Sequence, residues 1–242
     1  EMADFSVDRI LERFGSIPAI REALLVRDDL AAATRLTMVA TVSASLVDFV
    51  GACRWLDADH ARRIAREAYE KATVTVAAEA PAPQMRSLIR HLRASDQLTA
   101  GLILRALLSG NIVLFEEALA ELTGMPVVRV SNLLYDAGNA GLRALFDQAR
   151  LPRSTYPAFK EAIEAVREGG FMIEPGGPAR LKRRMIERVL TRCENEDIGE
   201  LAPLLTLLRR FATEAAREEA RLFCHELVAE DFSDDDGQYE AA

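Results

Sequence analysis

The stretch Glu117-Ala118-Leu119-Ala120-Glu121-Leu122-Thr123-Gly124-Met125-Pro126-Val127-Val128-Arg129-Val130-Ser131-Asn132-Leu133-Leu134 decides the fold. Its apolar residues recur at three- and four-residue steps on both sides of a Gly-x-Pro break, which is the period of helix and not of strand. Gly124 can take the left-handed turn that closes one helix, and Pro126 can open the next, where no amide is needed. Small Ala120 lets the two helices approach, and Val130 anchors the second against the first. The segment reads as a tight helical hairpin.

The same grammar extends in both directions. Downstream of residue 84 it predicts short helices at 84–94, 99–109, 111–123, 126–136, 139–150 and 154–168. Rods of three turns joined by two or three residues cannot bury their apolar stripes alone, so each must stack on its neighbours. A shift of 26 residues lays Leu107-Leu108 on Leu133-Leu134 and Ala118-Leu119 on Ala144-Leu145, a weak internal repeat. Upstream, Ser6 caps a first helix ended by Gly15, Pro18 opens a second, and residues 29–53 form one long, central helix. Asp57 then caps a charged helix over 58–78. Two prolines in Ala80-Pro81-Ala82-Pro83 predict a boundary there. Beyond Gly169-Gly170, a basic helix over 178–193 and a long helix over 201–229 close the chain. The expected class is all-α: an N-terminal bundle (1–80), a HEAT-like or solenoid-like array of stacked hairpins (84–170), two closing helices (178–229) and a solvated acidic tail (230–242).

Composition bounds the function. Of 242 residues, 50% are hydrophobic, and 38 acids outnumber 30 bases, so the chain is globular and carries a net charge of −8. Six of those negative charges lie in the tail, at Glu230, Asp231, Asp234, Asp235, Asp236 and Glu240. Three scattered cysteines, Cys53, Cys193 and Cys224, fit a reducing compartment. The apolar run from Leu36 to Val47 is broken by Thr37, Thr41, Ser43 and Ser45, so no membrane span is expected, and no signal peptide is read at the start. These features point to a soluble, cytoplasmic protein.

Catalytic signatures are missing. His60, His91 and His225 sit on charged helical faces without a nucleophile elbow, a catalytic-cysteine motif or a phosphate-binding glycine loop. Adjacent Cys224 and His225 point about 100° apart on a helix and cannot jointly hold one metal. No catalytic, cofactor or metal residue is therefore named, and an enzyme is not expected.

Two segments could instead bind. The Ala120-x3-Gly124-x5-Val130 spacing resembles the helix-turn-helix motif, in which Arg129, Ser131 and Asn132 would face base edges. Glu116, Glu117 and Glu121 just before it would repel phosphate, which favours a packing role. The second segment is the basic helix, where Arg180, Lys182, Arg183, Arg184, Arg188 and Arg192 surround Leu181, Met185, Ile186, Val189 and Cys193. It could meet phosphates, an anionic surface or an acidic partner, or pair with neighbouring glutamates as an ordinary amphipathic helix.

The blocks Leu104-Arg105-Ala106-Leu107-Leu108, Phe115-Glu116-Glu117-Ala118-Leu119-Ala120 and Gly141-Leu142-Arg143-Ala144-Leu145-Phe146, in this order, resemble the alphaproteobacterial domain-of-unknown-function family labelled twenty-three thirty-six. Phe146 stands where tyrosine is common in that family, which spares packing and removes a hydroxyl. The resemblance implies an all-helical protein and brings no catalytic residue to carry over. The expected function is thus a non-enzymatic interaction or regulatory scaffold for a protein partner, without a cofactor. The alternative is a DNA-binding regulator using residues 117–134 or the basic helix, although nucleic acid is the less favoured partner. Self-association is expected through the long amphipathic helix at 201–229.

Overall fold

The computed structural model describes the backbone of residues 4–27, 29–135, 139–168, 177–194 and 202–235, and their side chains except at 4, 139, 177–179, 181 and 225–235. Those residues form α1 (Asp4–Phe14), α2 (Pro18–Leu25), α3 (Ala32–Ala52), α4 (Ala58–Glu79), α5 (Ala82–Ala94), α6 (Ala100–Leu108), α7 (Ile112–Thr123), α8 (Val127–Tyr135), α9 (Asn139–Gln148), a 3-10 turn (Arg153–Thr155), α10 (Tyr156–Arg167), α11 (Gly177–Glu194) and α12 (Ala202–Asp235), with no strand among them. The fold is all-α.

Local chemistry sets the breaks. Asp57 accepts amides from Asp59 and His60 at the start of α4, Thr99 accepts from Leu102 at α6, and Asn111 accepts from Leu114 at α7. Each side chain satisfies a donor that the first helical turn leaves free. Four helices end on one device, a left-handed residue whose successor donates back five positions: Trp55 to Val50, Gln97 to Leu92, Asn111 to Ala106 and Leu151 to Phe146. Glycine fills the left-handed position only at Gly110; Arg54, Asp96 and Arg150 hold φ of 55° in the other three.

The chain divides into two compact units, Glu1–Asn132 and Leu133–Ala242. In the first, α3 packs on α4 and α5, α4 on α6, α5 on α7, and α6 on α7. Leu88, Ile89 and Leu92 of α5, Leu102 to Leu108 of α6, and Leu114, Phe115 and Leu119 of α7 are buried there. Each large apolar side chain so covered contributes about 1.5–3 kcal/mol. At the N-terminal end Val7, Leu11, Leu24 and Leu30 close over Met38, and Thr34 donates to Asp8 at 2.6 Å, so α1 and α2 cover the first half of α3. An ion pair is buried in this unit. Arg105 of α6 lies 3.7 Å from Glu70 of α4, and Thr99 donates to the same carboxylate at 3.4 Å.

In the second unit α10 packs on α9 and α11, and α11 on α12. Phe146 meets Tyr156 and Phe159 edge-on at 5.4 and 5.2 Å, so the residue that lacks a hydroxyl is held by packing alone. Lys182–Glu218 and Arg209–Glu194 pairs show that α11 and α12 run antiparallel. Between them Met185, Ile186, Val189, Leu204, Leu205 and Leu208 are buried.

Three expectations change. Ala80-Pro83 is a tight turn inside the first unit and the division falls at residue 132, because Pro81 is an N-cap and Pro83 occupies the first turn of α5, where proline removes no needed donor. The tail expected from Glu230 is helical as far as Asp235, since after Pro203 in its first turn no glycine or proline interrupts α12; residues 236–242 lie outside the described residues. The long central helix starts at Ala32, not Asp29, whose carboxylate is held at 2.6 Å by Arg27.

Candidate functional site

The α7–α8 hairpin forms as its spacing predicts. Gly124 holds φ +70° and donates its amide to Ala120 at 2.9 Å, while Ala120 and Val130 are buried between the helices. Of the three polar residues expected to face outward, Arg129 and Asn132 are exposed. Ser131 is not offered to a partner, because its hydroxyl donates to Glu116 of α7 at 2.6 Å. Two of the neighbouring carboxylates are tied to α5, Glu117 by Arg86 at 3.8 Å and Glu121 by Arg93 at 2.9 Å.

The cations of α11 are woven into the second unit. Lys182 pairs with Glu218 at 3.0 Å, Arg183 with Glu187 at 2.7 Å and Glu219 at 2.9 Å, Arg188 with Glu168, and Arg192 with Glu161 at 2.5 Å. The hydrogen bonds that Arg183 donates to Glu187 and Glu219 raise its pKa further, and the one that Arg188 donates to Glu168 lowers that of the carboxyl. Arg180 and Arg184 are exposed. The apolar row of Met185, Ile186, Val189 and Cys193 is core. This helix therefore uses most of its charge within its own unit.

A cleft of about 470 Å³ that the sequence did not disclose opens between α3, α4 and α5. Thr37, Ala40, Ala44 and Val47 form one wall, Arg62, Arg66 and Tyr69 the second, and His91, Ser95 and Gln97 its end. Spacing of three and four residues on each helix puts these groups on facing sides. Thr37 Oγ1 lies 3.5 Å from His91 Nε2, yet it also donates to Ala33 of its own helix at 3.1 Å, and Arg62 is held by Asp59 at 2.8 Å. Burial raises the Tyr69 phenol pKa. The cleft offers imidazole, guanidinium and hydroxyl groups for hydrogen bonding. Among the described residues no group of three His, Cys, Asp or Glu could hold a metal ion.

The opposite side of α3 carries a different surface. By length and composition α3 is apolar enough to cross a membrane, and 11% of its most apolar window is buried. Its first half is enclosed, with Leu36 and Met38 buried, whereas none of residues 39–52 is buried. Val42 is 45% exposed, Leu46 58%, Phe49 54%, Trp55 67% and Leu56 41%. Trp55 packs edge-on against Phe49, with centroids 5.6 Å apart. The long helix expected to be central over 29–53 is thus covered only in its first half, because a three- and four-residue apolar period suits a covered face and an open one alike.

Residues 1–198 match the family model of the uncharacterised bacterial proteins DUF2336. The chain belongs to that family. No curated protein and no solved structure matches it. For this DUF2336 chain the match spans all of the first unit and continues through α11, so the α3 surface, the cleft and the α7–α8 hairpin all lie within the family region.

Proposed function

We propose that this DUF2336 protein is a non-enzymatic helical interaction scaffold that docks another protein chain on the open face of α3 by helix-on-helix packing. The observation that carries the reading is the exposed apolar stripe at Val42, Leu46 and Phe49, continued by Trp55. A soluble surface does not ordinarily expose so contiguous an apolar area without covering it in a complex. The packing of α3 on α5 on α7, with α4 on α6, supports a HEAT-like stack in which the α3–α4 hairpin is capped by α1 and α2 only over the first half of α3. Aromatic anchors beside aliphatic ones suit such an interface, because burial there is large and the side-chain entropy lost is small.

Paired pull-downs with wild type and a Leu46→Glu, Phe49→Glu variant test the proposal. A partner retained by wild type and lost by the variant, with an unchanged melting curve, is the expected result; equal retention overturns it. The alternative reading, a DNA-binding regulator, rests on exposed Arg129 and Asn132 of α8. A gel-shift series against mixed duplex DNA at two salt concentrations decides it, since phosphate-driven binding weakens steeply with salt.

A further inference from the structure

The second half of α3 and its C-cap place five residues in a 3-4-3-4 register: Val39, Val42, Leu46, Phe49 and Cys53. At 100° per residue they fall within an arc of about 80°, over a length of about 21 Å. This is the spacing by which one helix seats its side chains between those of another. Residues Thr37, Ala40, Ala44 and Val47, which line the cleft, lie on the other side of the helix. The seam is therefore independent of the cleft.

We infer that the occupant of this seam is the α3 seam of a second copy of the chain, forming an isologous dimer. This rests on the reading that the α3 face is a docking surface. Charge favours a copy over an unlike partner. From Leu36 to Cys53 the single ionisable side chain of fixed charge is Asp48, and it lines the cleft. A two-fold interface sets the same patch against itself, so a seam carrying charge of one sign would bring like charges together; the α3 seam carries none. Along the α3 seam itself an acidic or basic partner helix would find no charge to pair with; Arg54 and Asp57 stand only at its end, beside Trp55 and Leu56. Ser45, which borders the seam beside Phe49, is small and exposed, so a second helix can approach closely from that side.

Area sets the strength. Aromatic side chains bring about 150–250 Å² each, so at the observed exposures Val42, Leu46, Phe49, Trp55 and Leu56 present on the order of 500 Å². Two such faces reach about 1,000 Å², the lower bound for a specific interface. The dimer is therefore reversible and concentration-dependent.

Sedimentation of the full chain from about 1 to about 100 µM tests this. The expected mass climbs from 26.7 kDa toward twice that value, while Leu46→Glu stays at 26.7 kDa throughout. Because Leu46 is half exposed, its replacement should leave the melting curve in place. A cross-link guards against a folding defect. In a Cys53→Ser, Cys224→Ser background, Leu46→Cys should oxidise to a covalent dimer, since the middle of the seam meets itself in parallel and antiparallel pairs alike; Thr75→Cys, exposed on α4, should not. Wild type that remains monomeric at the highest concentration, or equal cross-linking at both positions, overturns the dimer. If that monomer loses a different protein partner on Leu46→Glu, the docking face stands and the second copy falls. Co-sedimentation of the monomer with phosphatidylcholine–phosphatidylglycerol vesicles, lost on Leu46→Glu, overturns it in favour of lipid. If Leu46→Glu changes neither mass nor any capture, both readings fall.

Discussion

Trp55 folds back onto Phe49 because the residue between the helix end and the indole, Arg54, adopts a left-handed conformation at φ 55°. The Trp55 amide reaches the Val50 carbonyl at 3.2 Å, and the ring comes to rest one turn inside the helix. This terminating motif commonly carries such an apolar contact. Here it extends the α3 seam past the last helical residue.

The strain at Arg54 is removable. Glycine occupies left-handed backbone without a Cβ penalty, so Arg54→Gly should stabilise the chain by about 0.5–1 kcal/mol, offset in part by the freer unfolded state. The Phe49–Trp55 contact should survive. Chemical denaturation measures the first and tryptophan fluorescence the second; a destabilised variant would contradict the argument.

Gly124 and Gly141 should respond differently to alanine. At Gly124 a Cβ would meet nothing within 4 Å, so only the φ of +70° is unfavourable, at about 1–2 kcal/mol. At Gly141 a Cβ would lie 2.5 Å from the Leu133 carbonyl oxygen, forcing backbone to move. Urea midpoints should therefore fall further for Gly141→Ala than for Gly124→Ala.

The Glu70–Arg105 pair should behave as a coupled unit. Arg105→Met leaves a buried carboxylate without its cation and should cost about 3–5 kcal/mol, whereas Glu70→Gln combined with Arg105→Met should recover most of that loss. A double-mutant cycle measured by denaturation reads the coupling. Additive effects would show that the two side chains act independently.

Glu70 also makes stability depend on pH. Burial is the largest influence on its carboxyl and raises the pKa, with Arg105 and Thr99 pulling it partly back. The folded chain consequently holds this proton more tightly than the unfolded chain does. The stabilisation is complete below the ordinary glutamate value of about 4.3 and is lost as pH climbs through the raised folded value. Stability of wild type relative to Glu70→Gln should fall as pH climbs from about 4.3 through the raised folded value. A flat or rising difference would refute it.

Much of the architecture was legible from local chemistry. Asp57, Thr99 and Asn111 each cap the helix that follows them, Gly124 turns left-handed where the hairpin needs it, and Met185, Ile186 and Val189 form the buried row of α11. Ser131 was misjudged as outward-facing because its partner, Glu116, lies on the preceding helix, and a side chain's direction depends on how two helices cross. The α4–α5 prolines misled for a related reason: a helical start tolerates proline as readily as a linker does, and only the packing of α3 on α5 distinguishes the two.

By itself the order of residues determined that the chain is helical and where most helices begin and end, because capping, turn chemistry and apolar period act over three or four neighbours. Tertiary structure alone decided which apolar stripe is covered. The first half of α3 is enclosed by α1 and α2, and the second half, of similar composition, is open. Burial is a property of what arrives from elsewhere in the chain, and no window of sequence along α3 contains it.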